Sequence, residues 1–247
     1  MMKLLFIRHA ESTGNQQKRM EGQGNSALSD YGRKQATKLA QQLQHESWWP
    51  SQVYTSPLRR ALETTEILLN QSLTEVLSAP IRNLATGQIV LPINPAVDLT
   101  VNAAIGIKLA DELKEFQNGI FQGLTWAEAR HRYPDLCHRL ETTPDWLPIP
   151  EAESLRSGRA RARQFIQHLM VDHTNNDHIW IITHSWILQH LIAELLGCDR
   201  SWRFRADNTA LFEFQVDHSR WYRADQNCFN TDLWQILRFN ETQHLNQ

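Results

Sequence analysis

Two histidines in the sequence directly follow short apolar segments, at positions where a strand would end. The segment 4–7 is followed by Arg8 and His9. The segment 179–182 is followed, after one threonine, by His184. A neutral imidazole attacks phosphorus well when one ring nitrogen is fixed by a backbone carbonyl and the other faces the ester, and a guanidinium group binds phosphate oxygens in pairs. These residue types therefore predict phosphoryl chemistry, with His9 as the candidate nucleophile.

The elements that position these residues can be inferred from the same segments. Continuous apolar segments of four residues are typical of strands buried on both faces of a mainly parallel sheet. In open α/β sheets, ligands bind beyond the carboxyl ends of the strands, so His9 and His184 are expected at one edge. Arg60 is expected there too, in the first turn of a helix that Ser56 caps and Pro57 begins, because a helix amino terminus favours anions.

Helical periodicity extends the pattern along the chain. Apolar residues recur at helical spacing over 36–43 after a Ser29 cap, over 155–169, and over 187–195 before Gly197. Strands alternating with helices predict an α/β sandwich. We expect one domain spanning 1–247, with an inserted excursion or lid at about 72–105, where proline and glycine interrupt short apolar pieces. Residues 215–235 are expected to form terminal strands with a loop.

Composition limits the classes of partner. A net charge of −2 and a pI near 6.6 give no basic surface of the kind that nucleic acid requires. Three scattered cysteines, Cys137, Cys198 and Cys228, favour a reducing compartment, and we expect a cytoplasmic protein. The sequence has no segment of membrane-spanning length, so no membrane partner is expected. The oligomeric state is left open.

Several motifs, in order along the chain, resemble those of the histidine phosphatase superfamily, also called phosphoglycerate mutase-like. In this sequence they are RHAESTGN at 8–15, YTSPLRRA at 54–61, LKEFQNG at 113–119, GLT at 123–125, ESL at 153–155, ITHS at 182–185 and NTA at 208–210. Ala10 and Ser185 stand where glycine is common after each histidine. The resemblance covers nearly the whole chain except 72–105.

The resemblance implies a three-layer α/β sandwich around a mainly parallel, doubly wound sheet. It implies that His9 attacks phosphorus and becomes a phosphohistidine, while Arg8, Arg60 and His184 hold the phosphoryl oxygens. Glu115 would protonate the leaving oxygen and then deprotonate a water, which predicts an acidic to neutral pH optimum. No metal ion and no cofactor are required, because the cations belong to the chain.

Four further residues are implied as substrate contacts. Asn15, Glu21 and Gly22 would border the phosphate or the leaving group, and Ser185 would lie beside the second histidine. Asn15 is equally suited to forming a turn, and Gly22 to permitting one. For Glu115, the alternative is an ordinary solvated carboxylate, as is also expected of nearby acidic residues such as Asp111, Glu112 and Glu128.

The nine tryptophans are expected mostly in the core or in the wall of a pocket. For Trp186, two residues after His184, packing in the core is favoured over contact with the substrate. The remaining histidines are not spaced for a metal site, as His168, His173 and His178 do not share a helix face.

The favoured function is hydrolysis of a small-molecule phosphate monoester. A phosphoglycerate-type mutase is the first alternative, but mutases of the superfamily carry a longer segment between acid and second histidine, and Glu115 and His184 are 69 positions apart. A non-catalytic binder of phosphorylated ligands is the second alternative. The segment 72–105 is the expected determinant of substrate size or shape.

Overall fold

The computed structural model describes residues 1–70, 89–90, 105–144, 146–200, 202–223 and 234–246. Its described strands are β1 Met2–Arg8, β2 Gln52–Thr55, β3 Ile89–Val90, β4 Gly106–Leu109, β5 His178–Thr183, β6 Leu211–Val216 and β7 Trp234–Glu241. They form one sheet in the order β3-β4-β2-β5-β1-β6-β7.

The centre of this sheet is parallel and its edges are antiparallel. Strand β5 pairs in parallel with β1 on one side and with β2 on the other, and β2 pairs in parallel with β4. Strands β3, β6 and β7 run antiparallel to their neighbours. The register sets Arg8 opposite Thr183, so the residues that follow, His9 and His184, emerge side by side at the carboxyl edge.

The described α-helices are α1 Thr13–Gln16, α2 Asp30–His45, α3 Arg59–Leu69, α4 Trp126–Arg132, α5 Pro134–Thr142, α6 Leu155–Asp172 and α7 Ser185–Leu195. Ser29 caps α2 as expected, accepting the Gly32 N–H at 2.9 Å. The predicted Ser56 cap of α3 is wrong, because α3 begins at Arg59 and Leu58 precedes it without a side-chain cap. Arg60 nevertheless lies in the first turn of α3, as expected.

The helices cover both faces of the sheet. Alternate residues of β1 point to opposite faces: Leu4 and Phe6 pack with α6 and α7, while Leu5 and Ile7 pack with α2 and α3. All four side chains are fully buried, so β1 is apolar on both faces. The predicted three-layer α/β sandwich is confirmed, with its mainly parallel core formed by β4, β2, β5 and β1.

Two sequence predictions concern segments that are only partly described. The excursion at 72–105 lies outside the described residues except for β3 and Ile105, and it stays a prediction, as does the single domain. Strands β6 and β7 flank the segment expected to form terminal strands with a loop. No helix of the described ranges is both long enough and apolar enough to span a bilayer.

The nine tryptophans range from fully buried to about half exposed. Trp48 and Trp180 are buried in the core, as expected. The prediction is wrong for Trp186, which is 40% exposed instead of packed in the core. Others that are more than one third exposed are Trp126, Trp146 and Trp202.

Candidate active site

His9 lies directly after β1 and is almost completely buried. Its Nδ1 is 2.6 Å from the carbonyl oxygen of Ala10, and because a carbonyl only accepts, Nδ1 carries the proton. The lone pair of Nε2 is then available, and it accepts a hydrogen bond from Arg60 Nε at 3.1 Å. The backbone thus fixes the tautomer that a nucleophilic imidazole needs.

The charge state of His9 follows from its surroundings. Burial lowers its pKa well below the usual value of 6.5, and the Arg60 and Arg8 guanidinium groups lower it further. The hydrogen bond to Ala10 opposes this effect without overcoming it. His9 is therefore neutral at physiological pH, which is the nucleophilic form.

Arg60 is fully buried beside His9 and organises the loop over the site. Its Nη1 donates to the Gly24 carbonyl and its Nη2 to the Gly22 carbonyl, both at 2.7 Å. Gly22 has a φ of +48°, and a Cβ there would lie 2.9 Å from the carbonyl oxygen of Phe116. Only glycine fits this position easily, so Gly22 both permits the turn and presents its carbonyl to Arg60.

His184 is fully buried opposite His9, with the two ring centroids 4.9 Å apart. Burial lowers its pKa well below 6.5, followed by the effects of Arg60, His9 and Arg8. Its Nε2 is 2.8 Å from Ser56 Oγ. This contact was not predicted, because Ser56 before Pro57 fits the pattern of a helix cap, although Ser56 lies inside one of the motifs that carry the family resemblance.

Two buried polar atoms at the strand ends have no hydrogen-bond partner among the described residues: Arg8 Nε and His184 Nδ1. The guanidinium of Arg8 is anchored at its other side, where Nη1 donates to the Ala206 carbonyl. Buried polar groups are normally satisfied, and leaving one unpaired is costly. These two atoms therefore mark the place where a ligand with several acceptor oxygens would be received.

Glu115 is buried at the amino end of α7, next to the second histidine. Its Oε1 accepts the N–H groups of Phe116 at 3.0 Å and Ile187 at 3.1 Å. Its Oε2 accepts the Trp186 N–H at 3.1 Å and the Ser185 hydroxyl at 3.4 Å. The structure thus joins Glu115 to the helix that follows His184.

The neighbouring acidic residues are held elsewhere. Asp111 is exposed and pairs with Lys114 at 2.9 Å, and Glu128 pairs with Arg19 at 3.0 Å. Glu115 is thus the member of this acidic group whose carboxylate contacts the His184 helix.

Glu21 and Asn15 form a hydrogen-bonded network beside the pocket. Glu21 Oε2 accepts from Ser12 Oγ at 2.6 Å and from Asn15 Nδ2 at 2.9 Å, and lies 3.9 Å from Arg60 Nε. Asn208 Nδ2 lies 3.2 Å from Asn15 Oδ1 and 3.0 Å from the His9 carbonyl. Asn208 is a supporting residue that was noted in the sequence only as part of a motif. The structure therefore brings all nine predicted residues around one pocket, with Asn15 engaged by its neighbours.

The sequence model of the histidine phosphatase superfamily, branch 1, matches residues 4–87 and 96–228 of this chain. These two segments include every candidate site residue described above.

Individual proteins are similar over most of the chain. Phosphoserine phosphatase 1 of Hydrogenobacter thermophilus is 28% identical over 222 residues, which is 89% of each chain. The metal-independent phosphoserine phosphatase of Arabidopsis thaliana is 26% identical over 188 residues, covering 75% of this chain and 65% of its own. The solved structure of Bacillus stearothermophilus YhfR has a TM-score of 0.71 at 21% identity and covers 99% of this chain and 100% of that one. The similarity to the YhfR structure shows a shared fold.

Proposed function

Because this chain belongs to the histidine phosphatase superfamily, branch 1, we propose that it hydrolyses small phosphate monoesters through a phosphohistidine formed on His9. Relatives named phosphoserine phosphatase support hydrolysis of such esters. The observation that carries the route through His9 is its fixed tautomer: Nδ1 donates to the Ala10 carbonyl, so the lone pair is on Nε2, where it accepts a hydrogen bond from Arg60 Nε.

In the first step, the Nε2 lone pair of His9 attacks phosphorus and forms a nitrogen–phosphorus bond. The ester oxygen–phosphorus bond breaks, and its electron pair leaves with the oxygen, which takes a proton from Glu115. Arg8 Nε and His184 Nδ1, which are buried without a partner among the described residues, would contact phosphoryl oxygens. Charge that develops on those oxygens is stabilised by groups already in position, so little reorganisation is needed.

In the second step, a water molecule attacks the phosphohistidine and gives its proton to Glu115. The nitrogen–phosphorus bond breaks, and its electron pair returns to Nε2, which restores the neutral ring. Arg8 and Arg60 supply the positive charge that a metal ion supplies in other phosphatases, and one relative is named metal-independent. The proposal therefore includes no metal ion.

The test is phosphate release by the wild-type chain and by His9→Ala, measured on a panel that includes phosphoserine. We expect His9→Ala to lower kcat by at least about 10³-fold, because the nucleophile is lost. His168→Ala is the matched control, since His168 is an exposed residue of α6, and it should leave the rate unchanged.

Rapid quenching under alkaline conditions should trap an acid-labile phosphoryl group on the wild-type chain and none on His9→Ala. Equal phosphate release by the two proteins would falsify the route through His9. Isomerisation of phosphoglycerate without net release would instead identify a mutase. Tight binding of phosphate esters with neither activity would identify a binder.

A further inference from the structure

Two neighbouring tryptophans, one of them on the helix that follows His184, are partly exposed to solvent. Trp146 is 47% exposed and Trp186 is 40% exposed, and their ring centroids are 6.1 Å apart in an edge-on arrangement. By contrast, the indole ring of Trp180 is fully buried in the sheet core. Large apolar rings left in contact with water at one place are typical of a surface that binds something.

The position of this pair relates it to the leaving group. Trp186 is the second residue of α7, and its own N–H donates to Glu115 Oε2 at 3.1 Å. Its ring also lies 6.4 Å from that of Phe116, the residue after Glu115. Trp186 is thus joined through its backbone to the carboxyl group that would protonate the leaving oxygen, and its ring lies next to that of the following residue, Phe116.

The support behind the pair is rigid. Phe116 is buried, with the ring of His190 5.0 Å away and the Arg161 guanidinium 5.8 Å from its centroid. Gly158 leaves the space that Phe116 fills, since a Cβ on Gly158 would lie 1.9 Å from Phe116 Cζ. The Trp186 ring therefore packs against a Phe116 ring whose position is fixed. A preorganised aromatic surface of this kind loses little conformational entropy when a ligand binds.

Arg161, whose guanidinium lies over the Phe116 ring, is already paired within the protein. Arg161 forms two hydrogen bonds with the carboxylate of Glu153, at 2.7 and 3.0 Å. Arg161 also donates to the carbonyl oxygens of Glu112 and Lys114, both at 2.6 Å, so its guanidinium is not available to an anionic group on the leaving alcohol. An apolar leaving group therefore fits this surface better than an anionic one, which would find no partner in Arg161.

We propose that Trp146 and Trp186 form the leaving-group subsite and select phosphate monoesters of aromatic or bulky apolar alcohols. This inference rests on the proposed function, because it assigns the part of the substrate that the phosphoryl pocket does not hold. Aromatic rings stack offset or edge to face with indoles, which is the geometry that this pair presents.

The experiment compares kcat/KM for 2-phenylethyl phosphate and ethyl phosphate, two alkyl esters that differ by one phenyl ring. The wild-type chain should prefer the phenyl ester by about tenfold. Trp186→Ala and Trp146→Ala should each remove most of this preference, because kcat/KM falls much further for the phenyl ester than for ethyl phosphate. Trp186→Phe should restore most of it.

The matched control is Trp126→Ala. Trp126 is similarly exposed but bonds through its indole N–H to Glu141, outside the pocket, so the preference should be unchanged. A wild-type preference that survives both Trp146→Ala and Trp186→Ala, or the absence of any preference, overturns the subsite. Equal losses on both esters in Trp186→Ala also overturn it, since they indicate general damage.

A second measurement separates this inference from the proposed function. Binding of 2-phenylethyl phosphate and of inorganic phosphate is measured calorimetrically on His9→Ala, with and without Trp186→Ala. The added substitution should weaken binding of the phenyl ester by about tenfold and leave inorganic phosphate unchanged. This result would support the subsite even if no ester were hydrolysed, whereas equal binding by the two proteins would overturn it.

Discussion

The phosphoryl pocket and the tryptophan subsite are adjacent but built in opposite ways. In the pocket, His9, Arg60 and His184 are buried, and each is fixed by at least one hydrogen bond from its own chain. In the subsite, the Trp146 and Trp186 rings are partly exposed and lie next to each other, and the Trp186 ring also lies next to Phe116. A pocket of directed hydrogen bonds suits one chemical group, while exposed rings accept a range of apolar shapes. Changes in the pocket should therefore alter the rate on every substrate, and changes in the subsite should alter the ratio between substrates.

Among the substitutions that test this comparison, Arg60→Lys is expected to cause the largest loss of kcat. A lysine keeps the charge but cannot contact His9, Gly22 and Gly24 together, as the three guanidinium nitrogens do. Loss of one preorganised donor lowers kcat by about 10²- to 10³-fold, and we expect this loss on aromatic and small esters alike.

Arg59→Lys is the control for Arg60→Lys. The neighbouring Arg59 side chain is 55% exposed and pairs with Glu63 at 2.7 Å, so its replacement should change kcat by less than about twofold. A loss in Arg60→Lys that depends strongly on the leaving group would contradict a role at the phosphoryl group.

Glu115→Gln should have a smaller effect that depends on the leaving group. The amide keeps the shape of the side chain but cannot donate the carboxylic proton. We expect kcat/KM to fall by about 10²-fold on ethyl phosphate and by less than about fivefold on 4-nitrophenyl phosphate, whose phenolate leaves without a proton. The measurement is steady-state phosphate release on the two esters.

Asp111→Asn is matched to Glu115→Gln, because Asp111 is a nearby exposed carboxylate paired with Lys114. It should leave both rates unchanged. If Glu115→Gln slowed both esters equally, the carboxylate would serve only to cap α7, and another group would have to be the acid.

The pocket could be predicted from the sequence because its residues are fixed to regular elements. His9 and His184 follow apolar segments that become neighbouring parallel strands, so their proximity follows from the register of β1 and β5. Glu115 was predicted only through the family motif, since neither periodicity nor composition separates it from other acidic residues. Its carboxylate is held by backbone N–H groups of α7, which lie about 70 residues further along the chain.

The subsite could not be predicted for a physical reason. Trp186 lies in an apolar helical pattern in which Ile187 and Leu188 are fully buried, and the pattern does not tell which position near the helix end is left uncovered. Its partner Trp146 is distant in sequence and lies outside regular secondary structure. Ser56 was misassigned similarly: its hydroxyl accepts the Leu58 N–H at 3.3 Å, but the helix begins only at Arg59, and the same hydroxyl bonds His184.

The smallest expected effect is on the pH dependence of stability, and it involves two buried histidines, one next to the tryptophan subsite and one next to the phosphoryl pocket. His190 packs its ring against Phe116 behind the subsite, and His244 bonds Thr209 Oγ1 behind the pocket. Burial lowers the pKa of each to about 4. Between pH 6.5 and 4, the unfolded chain binds a proton at each position that the folded chain does not, so the free energy of unfolding falls as the pH falls.

Each histidine can contribute up to about 1.4 kcal/mol per pH unit to this slope. We expect His190→Gln and His244→Gln each to reduce the slope measured by urea unfolding between pH 7 and 5. The preference for 2-phenylethyl phosphate should respond only to His190→Gln, because only His190 supports Phe116 and hence Trp186. A slope that stays at the wild-type value in both variants would mean that neither histidine resists protonation in the folded chain. A change of preference in His244→Gln would mean that the two regions are coupled and do not act as separate parts of the site.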